Sequence, residues 1–245
     1  MPQSGLPTHR PADLGCADRE SNGCLVRLDR VAVTLGRTPV LRDLDLRVGA
    51  GEALGVLGAN GSGKTTFLHL LATLVRPTAG RAEILGREHG SPGAGAARPA
   101  IALIGHLPSL YPQLSLAENL RFVARLTGRE DRAVDRALDT VGLGGAAQRR
   151  AERCSQGMQR RAELARVLLT RPALLLLDEI HAGLDRDAVG LVDDVVASVR
   201  GRGGACVLVS HEPDRLTGVV DRMVRINDGR AERVAGTSAT TGRAS

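Results

Sequence analysis

Apolar and polar residues alternate along Leu25–Val33 and again along Val40–Val48, the two-residue period of half-buried antiparallel strands. Ala53–Leu57 is a short apolar strand that runs into a glycine-rich turn and then a helix beginning near Lys64. Arg87–Pro99 is rich in Gly, Pro and Ala and reads as a surface loop, and Ile101–Ile104 as another strand. From about Gln113 to Leu169 the period turns helical, with Leu116, Leu120 and Val123 on one stripe and Val134, Leu138 and Val141 on a second. Leu174–Leu177 and Cys206–Val209 are unbroken apolar runs, as expected of parallel strands covered on both faces. Residues 1–24 and 235–245 carry no such period and read as a weakly ordered lead-in and a flexible tail. One domain over 25–234 is expected between them, with a helical insert at about 113–169 and no internal repeat.

Composition narrows the picture. The 245 residues are 42% hydrophobic but only 1% aromatic: Trp is absent, and Tyr111, Phe67 and Phe122 are the whole aromatic set. The core must therefore be built from Leu, Val, Ile and Ala. Single-stranded nucleic-acid binding by base stacking is excluded as a main activity, because it needs aromatic platforms. The net charge of +6 comes from arginine scattered along the chain, Lys64 being its one lysine. That scatter argues against a nucleic-acid face and leaves room for contact with anionic lipid or a membrane protein. Cys16, Cys24, Cys154 and Cys206 have neither CxxC spacing nor a His pair to complete a zinc pattern, so reduced thiols are expected. No apolar run reaches the roughly 18 residues of a membrane span, and Met1–Ser21 lacks the apolar core of a secretory signal. A soluble, intracellular protein is expected.

Gly58-Ala59-Asn60-Gly61-Ser62-Gly63-Lys64-Thr65 fits the phosphate-loop pattern GxxxxGK[ST] at every position. Its glycines let successive N–H groups curl toward a phosphate, and the following helix adds the positive end of its dipole. Lys64 is placed to reach the β- and γ-phosphates, Thr65 to ligate Mg²⁺, and Thr66 joins the same set. A lone ammonium in a chain that otherwise uses arginine sits where a compact point charge is needed. Further on, the apolar run 174–177 ends in Asp178-Glu179, at the strand end where ligands sit in open α/β sheets. Asp178 there can hold Mg²⁺ through water, and Glu179 can polarise an attacking water. Together these features predict an α/β fold, a P-loop NTPase core of mainly parallel sheet with an N-terminal antiparallel β-subdomain and an inserted α-helical subdomain.

Cys154-Ser155-Gln156-Gly157-Met158, running into Gln159–Arg166, resembles the LSGGQ signature of ABC transporter ATP-binding subunits, with Ser155 and Gly157 at its most demanding positions. Glu179–Asp185 resembles the segment from Walker B to the D-loop, and Ser210-His211, after a buried strand, resembles the family's switch histidine. The resemblance covers roughly Leu25 to Arg233. It implies an ATP hydrolase using ATP and Mg²⁺, two subunits clasping ATP head to tail, and a separate transmembrane permease subunit. The pair would be a homodimer or a heterodimer, held peripherally at the cytoplasmic face of the cell membrane, with no nucleic-acid partner. Ser155 and Gly157 would then grip the γ-phosphate bound by the other copy, and His211 would hold Glu179 and the water. The loop His106–Tyr111 would receive the permease's coupling helix, with Leu107, Leu110 and Tyr111 supplying apolar contacts.

The chain departs from the pattern in places. Leu35 stands where many members stack an aromatic on adenine, and His106 where the Q-loop glutamine is expected; Cys154, Met158 and Ile180 replace Leu, Gln and Pro. Ile104-Gly105-His106 and Leu114–Phe122 resemble the haem-exporter ATP-binding subunits of cytochrome c maturation and ATPases of other small exporters. Export is therefore the expected direction. A non-transport ABC ATPase and a catalytically weak regulatory subunit are the alternatives; the first is disfavoured because the chain has one ATPase unit and no sustained heptads.

Overall fold

The computed structural model describes residues 23–179 and 186–234. The expected lead-in with Cys16, the segment Ile180–Asp185 and the tail from Ala235 lie outside the described residues. The alternating segments form β1 (Cys24–Leu35) and β2 (Thr38–Gly49), an antiparallel hairpin turned at Gly36, whose φ of 61° suits a residue without a Cβ. Two short strands, β4 (Ala79–Ile84) and β5 (Arg87–Glu88), complete an antiparallel sheet of order β2-β1-β4-β5. The second sheet has the order β10-β9-β3-β8-β7-β6, from β3 (Ala53–Leu57), β6 (Ile101–Ile104), β7 (Leu174–Asp178), β8 (Ala205–Ser210), β9 (Arg222–Asn227) and β10 (Arg230–Arg233). All its pairings are parallel except β10 with β9. Every residue of β3, β7 and β8 is buried, which explains why these strands are unbroken apolar runs. Full burial of Leu174, Leu175, Leu176 and Leu177 stabilises the fold by roughly 1.5–3 kcal/mol per side chain.

Helix α1 (Lys64–Leu71) lies between the sheets, its Phe67, Leu68, Leu70 and Leu71 in the core shared with β1, β2 and the near face of the parallel sheet. The opposite face packs on α4 (Gln156–Thr170) and α5 (Arg186–Gly201), and the same core continues under α2 (Leu116–Leu126) and α3 (Asp131–Thr140). The stripe Val134, Leu138, Val141 is fully in that core; on α2, Leu116 and Leu120 are buried while Val123 is half-buried, because the next turn, at Leu126, faces solvent. A capping box starts α2: Ser115 Oγ accepts from the Glu118 N–H, and the Glu118 carboxylate accepts from the Ser115 N–H. The segment 87–99 is more ordered than a plain loop, carrying β5 and a 3₁₀ turn at Ala94–Ala100. Among the described residues no helix is long and apolar enough to cross a membrane.

The parallel register decides where chemistry can gather. Leu57 pairs with Ser210, Asp178 with Val209, and Ile104 with Leu177, so four strands end at one edge of the sheet. Gly58, Gly105, Glu179 and His211 are the residues that leave it.

Candidate functional site

The turn from β3 into α1 depends on two glycines. A Cβ at Gly58 would lie 2.5 Å from Ser62 Oγ and 2.7 Å from the Ile226 carbonyl oxygen, so the loop closes over itself only with glycine there. Gly63 has a φ of 103°, and a Cβ on it would meet Leu41 at 2.9 Å and the Val40 carbonyl at 3.2 Å. No side chain caps α1 and no acid occupies its first turn, so its N–H groups and dipole are directed into the cleft ahead of it.

That cleft, of ≈330 Å³, is lined by Val40, Asn60, Gly61, Gly63, Lys64, Thr65, Thr66, His106, Asp178 and Glu179. The expected residues from three separated stretches of sequence therefore meet at one place. Gly58, Ala59 and Ser62 do not line it. Ala59 and Ser62 form part of a neighbouring hollow with Thr38, Pro39, Val40, Arg42 and Asn227–Gly229, while Gly58 serves as the tight turn beneath. Lys64 Nζ donates to the carbonyls of Gly58 and Ala59 at 2.8 Å each, which aims the ammonium into the loop and leaves a third donor. Thr65 Oγ1 donates to Asp178 Oδ2 at 3.3 Å. Burial raises the Asp178 carboxyl above its ordinary value and the Glu179 charge adds to this, while Thr65 and Lys64 pull the other way. A hydroxyl and a carboxylate in contact beside an ammonium form a hard-oxygen corner that would suit Mg²⁺, an ion that takes one or two protein oxygens and fills its other positions with water and substrate oxygens.

Glu179 follows β7 with a left-handed φ of 49°, unusual for a residue with a side chain. Its Oε1 is 3.0 Å from His211 Nδ1, and Ser210 Oγ donates to Oε2 at 3.4 Å. The second ring nitrogen of His211 lies 3.4 Å from Glu212, so the imidazole is held between two carboxylates. A carboxylate at the cleft wall, fixed by an imidazole, is the arrangement of an oriented base.

Ser155 and Gly157 are elsewhere: neither lines the cleft. Ser155 caps α4, its Oγ accepting from the Met158 N–H at 3.2 Å. Around Gly157 a Cβ would meet nothing nearer than Ser155 Oγ at 4.0 Å, so nothing among the described residues requires glycine in that first turn. Leu35 ends β1 half-exposed, and Tyr111 and Phe122 pair edge to face with each other at 5.5 Å, while Phe67 is in the core. Neither tyrosine nor phenylalanine lines the cleft. Leu107, at 78% exposure, and Tyr111, at 53%, are presented to solvent on the loop after β6, with Leu110 packed partly on the core.

Sequence reasoning missed Val40, which forms an apolar wall of the cleft, and the charged residues Arg160, Glu163 and Arg166 of α4. Glu163 is fully buried beneath the His106 loop and ion-paired to Arg160 at 3.2 Å. Burial pushes the Arg166 guanidinium below its ordinary value, and the Glu163 charge opposes that. Arg160, Glu163 and Arg166 recur every third residue, and that spacing on a helix was the one available signal of a shared face.

Comparison with known proteins agrees with this fold. The family model "ABC transporter" matches residues 41–182, more than half of the chain. The chain is 39% identical over 184 residues to the cytochrome c biogenesis ATP-binding export protein CcmA of Rhodospirillum rubrum, covering 75% of this chain and 78% of that protein. It is 36% identical over 209 residues to the daunorubicin resistance ATP-binding protein DrrA3 of Streptomyces coeruleorubidus, covering 84% and 66%. A solved ATP-binding subunit of an ABC transporter superposes with a TM-score of 0.80 at 26% identity, covering 87% of this chain and 90% of that one. A dimeric post-hydrolysis ATP-binding cassette holding ADP and Pi shares the fold, with a TM-score of 0.76 at 22% identity over 86% of this chain and 99% of that one.

Proposed function

The chain belongs to the ABC transporter family, as its ATP-binding, ATP-hydrolysing subunit, and on that premise we propose how its residues work and what they drive. Gly61, Gly63 and Lys64, with the α1 N-terminus, bind the phosphates of ATP, and Thr66 borders them. Thr65 and Asp178 would hold Mg²⁺, which when bound would draw negative charge off the phosphate oxygens. Glu179 orients and deprotonates the attacking water, and His211 keeps that carboxylate in place. His106 faces the same cleft from the loop after β6.

ABC ATPase subunits work with transmembrane components, and they dimerise, as the dimeric cassette illustrates. For this chain we propose the head-to-tail pair, with Ser155 and Gly157 of one copy closing on the ATP held by the other. One observation carries this: a glycine stands in the first turn of α4 with open space around it, outside its own cleft. Glycine within a helix costs about 1 kcal/mol relative to alanine, and nothing among the described residues offsets that. A ligand approaching from outside does. The test is mass in solution. The Glu179→Gln protein should double its mass on adding Mg·ATP by light scattering, and adding Ser155→Arg should keep it single while ATP still binds. A Ser155→Arg protein that pairs as well as its parent would overturn the arrangement.

For the cargo we propose export, and haem export for cytochrome c maturation as the first reading, supported by the CcmA relatives. The daunorubicin-resistance relative favours a second reading, export of an amphipathic drug-like compound. Hydrolysis by the complex with its permease, measured with haem or an anthracycline added, separates them: the cargo raises the rate and the other compound does not.

A further inference from the structure

The helical insert, residues 113–169, holds eleven arginines against seven acids, and so +4 of the chain's formal +6. Part of that excess is gathered at one place. Residues 147–152 run beside the start of α2: the Leu116 N–H donates to the Arg149 carbonyl at 3.0 Å, the Ala151 N–H to Leu114 at 2.9 Å, and the Glu152 N–H to Pro112 at 3.0 Å. On this frame the exposed side chains of Gln148, Arg149, Arg150 and Arg153 surround an open hollow of ≈720 Å³. Their charge is little offset. Arg150 stands 3.9 Å from Glu152, Arg149 donates to the Met158 sulfur at 3.9 Å, and Arg153 has no acid partner among the described residues. Glu118 feels the Arg150 charge, but its carboxylate is engaged by the Ser115 N–H. Like charges held together repel and lower stability, and the nucleotide cleft uses none of these three. Beside them the surface is apolar. Phe122 and Leu126, four residues apart on α2, share one helix face at 44% and 71% exposure. Tyr111, whose ring meets Phe122 edge to face, precedes the Pro112 that is bonded to Glu152.

We propose that the hollow of Arg149, Arg150 and Arg153 docks on the phosphate headgroups of an anionic lipid surface, with Phe122 and Leu126 entering the interface beside it. Guanidinium forks match phosphate oxygens, and aromatic and leucine side chains next to arginines suit the boundary between headgroups and acyl chains. An acidic protein segment would satisfy the arginines but would leave the two apolar side chains in water. The chain thus grips a membrane through its own residues, in addition to any hold that a permease gives it. This requires neither the pairing nor the cargo proposed above.

The test is co-sedimentation of the full chain with vesicles of phosphatidylcholine alone, or of equal parts phosphatidylcholine and phosphatidylglycerol. Binding is expected to the mixed vesicles only, and should fall more than about tenfold as salt rises from about 0.05 M to about 0.5 M. Each arginine at such a surface contributes about fivefold in affinity, so changing Arg149, Arg150 and Arg153 together to Gln should weaken binding about 10²-fold. Leu126→Gln should weaken it about fivefold without altering its salt dependence. Changing Arg37, Arg81 and Arg87 to Gln removes the same charge from the antiparallel sheet and its hairpin turn, where all three are exposed, and should alter binding less than about threefold. Because every substituted side chain is exposed, melting temperatures without lipid should stay within about 2–4 °C of the parent. No binding to the anionic vesicles, equal binding to the neutral ones, or equal losses in the two triple variants refutes the docking surface. Tighter binding to polyglutamate than to vesicles, unchanged by Leu126→Gln, would assign the hollow to an acidic protein segment and overturn the proposal.

Discussion

Replacing Glu179 by Gln keeps shape and backbone strain and removes only the negative charge. The left-handed φ of 49° is borne equally by both residues, so the strain does not enter the difference between them. The stability at stake is the contact with His211, a ring 58% exposed at 3.0 Å, and exposed pairs of this kind contribute about 0–1 kcal/mol. For a domain of this size that moves the melting temperature by at most about 2–4 °C. Removing a general base lowers the rate about 10²–10⁴-fold, which at 1.36 kcal/mol per decade is about 2.7–5.4 kcal/mol of transition-state stabilisation. The effect on hydrolysis should therefore exceed the effect on folding severalfold. His211→Ala leaves the carboxylate but frees it to turn, and should cost about 10–10² in kcat with little change in KM. Because both act through the same contact, the double variant should be no slower than Glu179→Gln alone by more than about threefold. The assay is steady-state phosphate release with melting curves on the same preparations. A Glu179→Gln rate within about threefold of wild type, or a double variant slowed by the full product of the two single effects, would refute the oriented-base account.

Other expectations follow from single features. Gly58→Ala puts a Cβ 2.7 Å from a backbone oxygen that cannot yield cheaply, so it should displace the loop, cost roughly 1–3 kcal/mol by denaturant unfolding and weaken binding of a fluorescent ATP analogue more than tenfold, on the order of what overpacking at a binding loop produces. Exchange of His106 for Gln should keep or raise the hydrolysis rate; a large fall would show a specific imidazole role. The Glu118 carboxyl is held below its ordinary value by the Ser115 N–H and hydroxyl, so its contribution to stability is fully present above the unfolded-state value and is lost as pH falls through the lower folded value. Urea unfolding should accordingly find Glu118→Gln less stable than wild type at neutral pH, with the gap closing in acid below about pH 4. Burial pushes the Cys206 thiol up to about 12 and leaves it fully covered, so a maleimide at pH 8 should label half-buried Cys24 while Cys206 reacts only after unfolding, as read by peptide mass.

The parts of this molecule that sequence disclosed are those where one physical demand fixes residue type. Unbroken leucines at 174–177 could be little else than a strand buried on both faces, and Gly58–Thr65 fits few loops but a phosphate cradle. The strands β4 and β9 escaped because neither alternates cleanly: Gly80 and Arg81 lie at an exposed edge, and Arg222 reaches into the interior to meet Glu52 at 2.7 Å. Arg160 and Glu163 were hidden for a similar reason. A charged residue on a helix reads as solvated face, and only the folded chain shows main-chain groups of the His106 loop waiting for it.

Lysine occurs once in this chain, and Lys64 is that residue, 8% exposed at the mouth of the phosphate loop. Apart from the terminal amine, amine-selective acylating reagents have a single place to react, and it lies in the cleft proposed above to bind the nucleotide. The extent of amine modification thus becomes a direct gauge of site occupancy, readable on intact protein without a reporter group or a functional assay.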